Sequence, residues 1–234
     1  MTLAIVTGAA RGIGFEIADR LARAGHRSVL VDLDPAVAEA AERLGGIGVA
    51  ADIASDRGRA SVLAALDDAG EPPAVLVNNA GVTRDSLIAK MTEDGFRFVT
   101  RVNLGAQYEL ISALAERIVD GGAIVNISSR AQLGNVGQFN YAVSKGGVVG
   151  LTRAMALSLA PRLRVNAVAP GFIATAMTDA MPEQVRQRII DKVPLGRAGD
   201  PGDIAATVAW LADGAASAYV TGQVVYCCGG RSFG

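Results

Sequence analysis

Short apolar runs recur at residues 3–6, 29–31, 48–51, 75–77, 124–127, 165–168 and 224–226, separated by longer stretches with helical spacing. The runs are continuously apolar rather than alternating, which is the pattern of strands buried on both faces of a parallel sheet. Helices are then required to cover those faces. Residues 12–24 place Ile13, Ile17 and Leu21 four positions apart, and residues 141–160 carry Val148, Leu151, Met155 and Leu159 at helical spacing. No repeat with a period of about 20–50 residues is present, and no low-complexity tract or long Ser/Gly linker separates two cores. The expected fold is α/β: a single doubly wound domain over residues 1–234, its seven-stranded parallel sheet flanked by helices.

Charge excludes some partners. Lys and Arg number 22 against 23 Asp and Glu, a net charge of -1, so no bulk attraction to nucleic acid or acidic membranes is expected. No apolar run approaches the roughly 20 residues that cross a bilayer. Met1 and Thr2 lead directly into the first apolar run, which leaves no room for a signal peptide. The two cysteines, Cys227 and Cys228, are sequence neighbours and too few for a disulfide framework, so a reducing cytoplasm is the expected location. They read as packing residues on opposite sides of the last strand. His26, the only histidine, reads as a solvated turn residue before the second strand. No His/Cys/carboxylate group has metal-ligand spacing, and no metal is expected.

The segment Thr7-Gly8-Ala9-Ala10-Arg11-Gly12-Ile13-Gly14 follows the first strand and opens the first helix. Glycines at such a turn allow unusual backbone angles, let a pyrophosphate approach the main chain and let helix and strand pack closely. The helix N-terminus then offers free N–H groups to phosphates. The spacing Gly-x3-Gly-x-Gly departs from the general Gly-x-Gly-x2-Gly form. Asp32 lies 18 residues beyond Gly14, near the offset of about 20 expected of an acid that binds the adenosine ribose. Its carboxylate would accept hydrogen bonds from the ribose hydroxyls and repel a 2′-phosphate. NAD(H) is therefore favoured, with NADP(H) as the alternative because Arg11 is placed to reach a 2′-phosphate. Asp34, followed by Pro35, reads instead as the start of the next helix.

Tyr141 and Lys145 stand four residues apart on one helical face, about 6 Å along the axis. A neighbouring ammonium favours the phenolate and moves a tyrosine toward useful proton exchange. The pair alone is weak evidence, but Asn78-Asn79-Ala80-Gly81, Asn103, Ser128-Ser129 and Ala169-Pro170-Gly171 accompany it in order along the chain.

With Asp52 and the glycine turn, these segments resemble the short-chain dehydrogenase/reductase family over essentially the whole chain. Thr83-Arg84-Asp85-Ser86-Leu87, residues 166–173 and Thr221-Gly222-Gln223 are most similar to the 3-oxoacyl-acyl-carrier-protein and acetoacetyl-CoA reductases of that family. The resemblance implies a Rossmann fold and hydride transfer between a nicotinamide and a ketone or secondary alcohol. It implies that Tyr141 exchanges the proton, that Lys145 holds the nicotinamide ribose and lowers the tyrosine pKa, that a serine donates to the substrate oxygen, and that Asn103 anchors a water-linked proton path. Ser129 is favoured from strand register, with Ser128 the alternative from counting back along the loop. Around the cofactor it places Gly8, Arg11, Gly12, Ile13 and Gly14 at the phosphates, and Asp52 and Ile53 beside the adenine. Asn79, Ala80 and Gly81 run along the adenosine ribose, and Pro170, Gly171, Ile173 and Thr175 lie near the nicotinamide and phosphates. Residues 174–193 would form a lid over the substrate, with Met177 and Met181 as candidate lining. Expected partners are a small carbonyl, alcohol or acyl thioester, with an acyl carrier protein as a candidate and a homotetramer as the assembly. Arg130 reads as solvated or as a contact for an anionic carrier. Two other functions stay open: an NAD-dependent dehydrogenase of a small or cyclic alcohol, and a dinucleotide-sensing regulator without turnover.

Overall fold

A computed structural model describes residues 2–175, 178 and 181–233. Seven parallel strands form one sheet in the order β3-β2-β1-β4-β5-β6-β7: β1 Thr2–Thr7, β2 His26–Asp32, β3 Ile47–Ala50, β4 Pro73–Asn78, β5 Ala123–Ile127, β6 Arg164–Pro170 and β7 Val224–Cys227. Each predicted run overlaps one strand. The doubly wound expectation therefore holds, with the strand order reversing between β1 and β4.

Along β1 the side chains alternate between two buried layers. Leu3 and Ile5 belong to one cluster with Val62, Leu66, Leu110 and Leu114. These come from α3 Asp56–Ala69 and α5 Ala106–Leu114, and α6 Phe139–Leu159 adds Ala156 on that side. Ala4 and Val6 belong to the other cluster with Ile17, Leu21, Val37 and Ile204. These come from α1 Gly12–Arg23, α2 Val37–Glu42 and α8 Pro201–Ala212. Helix ends are fixed locally. Ser55 caps α3 by accepting from the Gly58 N–H, and Gly70 closes it at φ 67°. Asp200 and Asp203 form a capping box on α8. The remaining helices are α4 Glu93–Thr100, which continues as a π-helical turn over Arg101–Gly105, and α7 Glu183–Ile190.

Three local expectations change. His26 is the first residue of β2 rather than a solvated turn, half-buried with Nδ1 3.0 Å from Thr2 Oγ1. Burial there lowers its pKa. The helix expected to start at Asp34-Pro35 begins at Val37, because Asp34 first closes a turn by accepting from the Ala36 N–H. Cys228 lies beyond the end of β7, where it is buried with its thiol 3.2 Å from Ser232 Oγ. Among the described residues no helix is long and apolar enough to cross a membrane.

Candidate active site

Every segment singled out beside the cofactor leaves the sheet at the carboxyl ends of its strands, where the reversal of strand order opens a crevice. A groove of about 800 Å³ lies there. Gly8, Arg11, Ile13 and Gly14 line it from β1 and α1, Asp32 from β2, and Asp52 with Ile53 from the β3 exit. Asn79, Ala80 and Gly81 line it from β4, and Thr175 closes one side. Gly12, Tyr141, Lys145, Pro170, Gly171 and Ile173 do not line this groove. Gly12 has φ 59° at the start of α1, and Ile173 faces a smaller cavity with Cys227 and Cys228. A Cβ on Gly171 would come 2.6 Å from Cys228 Cα, so that glycine serves the packing of β6 against the segment after β7.

Thr7 builds the floor of the crevice. Its hydroxyl accepts from the N–H groups of Asn79 and Ala80 at 3.0 Å each, while Asn79 Nδ2 donates to the carbonyls of Thr7 and Gly8. Asp32 is also held in place: one oxygen accepts from the Ala10 N–H and the other from the Asp34 N–H, both at 3.0 Å. Arg11, the candidate contact for a 2′-phosphate, lines the groove and pairs with Asp34 at 3.2 Å while its side chain stays 81% exposed. The groove thus presents both an acid, Asp32, and an exposed arginine, Arg11. A glycine turn against a helix N-terminus, a held carboxylate and the groove's volume fit a dinucleotide.

At the other end, α6 brings Tyr141 and Lys145 together, with the Lys145 ammonium 5.6 Å from the centre of the phenol ring. Lys145 is buried and donates to the Ile127 carbonyl at 2.8 Å. The two candidate serines have different surroundings. Ser129 Oγ accepts from the Ala131 N–H at 3.1 Å and lies near enough to Tyr141 to lower its pKa, whereas Ser128 is buried and donates to the Lys145 carbonyl at 2.8 Å. Asn103 is fully buried within the π-helical turn, where its amide accepts from the Val82 N–H at 2.8 Å and donates to Ser144 Oγ at 3.1 Å. A Cβ on Gly81 would lie 3.2 Å from Asn103 Oδ1 and 3.4 Å from Lys145 Nζ, so the groove's edge meets both residues at that glycine.

Sequence reading missed the residues that position this set. Asn140 Oδ1 accepts from the Tyr141 N–H at 2.7 Å while its amide donates to the Arg84 carbonyl at 2.9 Å, and Ser144 Oγ donates to the Tyr141 carbonyl at 2.8 Å. The electrostatics also depart from expectation. Burial and the Asp85 charge raise the Tyr141 pKa, with only the Ser129 hydrogen bond opposing them. Burial pushes Lys145 down to about 8. Lys145 is not among the groups that shift Tyr141 here; its ammonium points to the Ile127 carbonyl. Of the lid residues, Met177 lies outside the described residues and Met181 is exposed.

Comparison with known proteins now adds a family. A profile described as enoyl-(acyl carrier protein) reductase matches residues 8–232. The chain is 41% identical over 248 residues to a (3R)-3-hydroxyacyl-CoA dehydrogenase of Mus musculus, covering 97% of this chain and 95% of that one. It is also 41% identical over 239 residues to a 3-oxoacyl-[acyl-carrier-protein] reductase of Pseudomonas aeruginosa, covering 97% and 96%. The chain belongs to the short-chain dehydrogenase/reductase family. A solved structure from Agrobacterium tumefaciens assigned as a gluconate dehydrogenase superposes with a TM-score of 0.94 at 32% identity, covering 100% and 96%. This family member is an NAD(P)-dependent oxidoreductase acting on oxo and hydroxy groups, which removes the regulator without turnover. The relatives divide between CoA dehydrogenases and acyl-carrier-protein reductases, so the narrower likeness to the latter is not singled out.

Proposed function

We propose that this enzyme interconverts 3-oxoacyl and 3-hydroxyacyl thioesters with NAD(H) as the preferred cofactor. The pairing of Tyr141 with a buried Lys145, whose ammonium meets Gly81 at the edge of the groove that carries Asp32, is the observation that carries the reaction. The thioester follows from the relatives, whose names join CoA or an acyl carrier protein to the acyl group. When bound, the nicotinamide supplies or receives the hydride. Ser129 holds the substrate oxygen by a hydrogen bond, and Tyr141 gives that oxygen a proton in reduction or takes it in oxidation. A phenol whose pKa is raised remains protonated at neutral pH, the form reduction requires. Lys145 binds the nicotinamide ribose, and Asn103 anchors the water path that returns the proton. Residues 174–193 act as the lid, and four chains form the assembly.

A second reading, oxidation of a small hydroxylated acid or alcohol with NAD+, draws on the likeness to the gluconate dehydrogenase structure. Steady-state assays with NADH and NADPH across acetoacetyl-CoA, longer 3-oxoacyl thioesters and simple ketones, together with the reverse alcohol reactions, separate the two. Turnover confined to small alcohols or ketones would replace the thioester reading.

Two outcomes follow from the charges. Asp32→Ala removes the group that would repel a 2′-phosphate, and the NADP(H)/NAD(H) ratio of kcat/KM is expected to rise about tenfold or more. An unchanged ratio would remove Asp32 from cofactor selection. For pH, kcat/KM reports groups of the free enzyme. Lys145 is protonated below about 8 and neutral above it, so kcat/KM for reduction is expected to fall above that pH with loss of one proton. Lys145→Arg keeps its charge throughout and should lose that limb. A wild-type profile flat to about pH 9.5 would exclude the ammonium as the required form.

A further inference from the structure

A second cavity, of about 730 Å³, begins one residue past Ser129 at Arg130 and shares no lining residue with the dinucleotide groove. Arg130, Lys192 and Arg231 line it together with Leu133 and Val136. Three segments meet there: the turn that follows Ser129, the start of the segment after α7, and the C-terminal tail. The tail is tied in place, since Leu195 N–H donates to the Gly229 carbonyl at 3.1 Å and Gln132 Nε2 donates to the Tyr226 hydroxyl at 3.0 Å.

The cations are the unusual feature. No carboxylate lines the cavity, and among the described residues none of the three cations has an ion-pair partner. Arg130 spends its Nε–H on the Arg231 backbone carbonyl at 3.4 Å, and both arginines are half-buried. Burial and the Arg130 charge both lower the Arg231 pKa. A chain with a net charge of -1 has carboxylates to spare, so this local excess of positive charge is not a consequence of composition. Like charges held together without a counter-charge are costly, and an incoming anion relieves that cost. Leu133 and Val136 are 55% and 89% exposed, which gives the same cavity an apolar wall for an alkyl or pantetheine chain.

We infer that Arg130, Arg231 and Lys192 form a subsite for an anionic group carried by the substrate, reached from a carbonyl held at Ser129 and Tyr141. The inference rests on the thioester reading. The shared chemistry is a set of anionic oxygens, supplied either by a phosphate of the carrier arm or by a carboxylate at the far end of the acyl chain.

Three acyl substrates distinguish the sources: acetoacetyl-CoA, neutral acetoacetyl-N-acetylcysteamine, and an N-acetylcysteamine 3-oxoacyl thioester ending in a carboxylate. With Arg130→Gln/Arg231→Gln, KM for one or both anionic substrates is expected to rise about tenfold or more with kcat little changed, while the neutral thioester is unaffected. A rise for acetoacetyl-CoA alone assigns the phosphate, and a rise for the carboxylate thioester alone assigns the carboxylate. Arg130→Lys/Arg231→Lys should restore most of the loss. Equal losses on all three substrates, or none on any, would overturn the subsite. Calorimetry with coenzyme A and with glutarate keeps the test independent of turnover. Binding to the wild type that the glutamine variant loses supports the subsite, and no binding of either ligand to the wild type removes it. If no thioester is turned over but these anions bind and the variant loses them, the thioester reading fails while the anion subsite stands.

Discussion

Tyr141→Phe is expected to lower kcat for carbonyl reduction about a thousandfold while leaving dinucleotide affinity within about twofold. The substitution removes one oxygen from a ring whose position is fixed elsewhere. Asn140 and Ser144 hold the tyrosine through its backbone, and neither uses the phenol oxygen. The helix and the Lys145 contact with the Ile127 carbonyl should therefore persist. What disappears is the phenol assigned above as the proton carrier. Ser129 alone can polarise a carbonyl oxygen but has no neighbouring base to restore a donated proton, so residual activity should come from binding and orientation. Single-turnover reduction with saturating cofactor measures the chemical step directly, and fluorescence titration measures dinucleotide binding. A rate within threefold of wild type would remove Tyr141 from proton transfer.

The sheet was readable because burial on both faces leaves an apolar signature that polar edges do not share. The run at 29–31 marks only the centre of β2, whose first residues are His26, Arg27 and Ser28. Ser28 is buried, but its hydroxyl donates to the Ala18 carbonyl at 2.9 Å, and no local pattern announces such a partner. The site divides in the same way. Tyr141 and Lys145 share a helical face, so their spacing is visible in sequence. Asn103 is turned inward by a π-helical turn, which shifts the register that a helical period would predict. Its meaning came from resemblance alone. Thr7, Asn140 and Ser144 were missed because each acts through a partner distant in sequence or through the main chain of Tyr141. Arg130 carried an ambiguous signal until the fold set Arg231 and Lys192 around the same cavity.

The glycine turn offers the second large effect, and Gly14 and Gly12 separate two reasons for a glycine. Gly14 has an ordinary backbone angle but no room: a Cβ there would lie 2.0 Å from the Gly8 carbonyl oxygen and 2.6 Å from Asn79 Nδ2. Neither obstacle is the end of a flexible side chain, because the Asn79 amide is already bound to the Thr7 and Gly8 carbonyls. Gly14→Ala must therefore push α1 away from the turn after β1 and from β4 at once. The expected cost is about 3 kcal/mol. For a chain of this size that corresponds to a Tm lower by about 6–12 °C, with weakened dinucleotide binding because the helix N-terminus moves. Gly12 is the reverse case, at φ 59° with nothing within 4 Å of an added Cβ. Gly12→Ala meets only the backbone penalty of about 1–2 kcal/mol and should lower Tm less. Thermal unfolding and dinucleotide titration of both variants decide the matter. If Gly14→Ala melts no lower than Gly12→Ala and binds dinucleotide as the wild type does, close packing of helix against turn is not what this glycine provides.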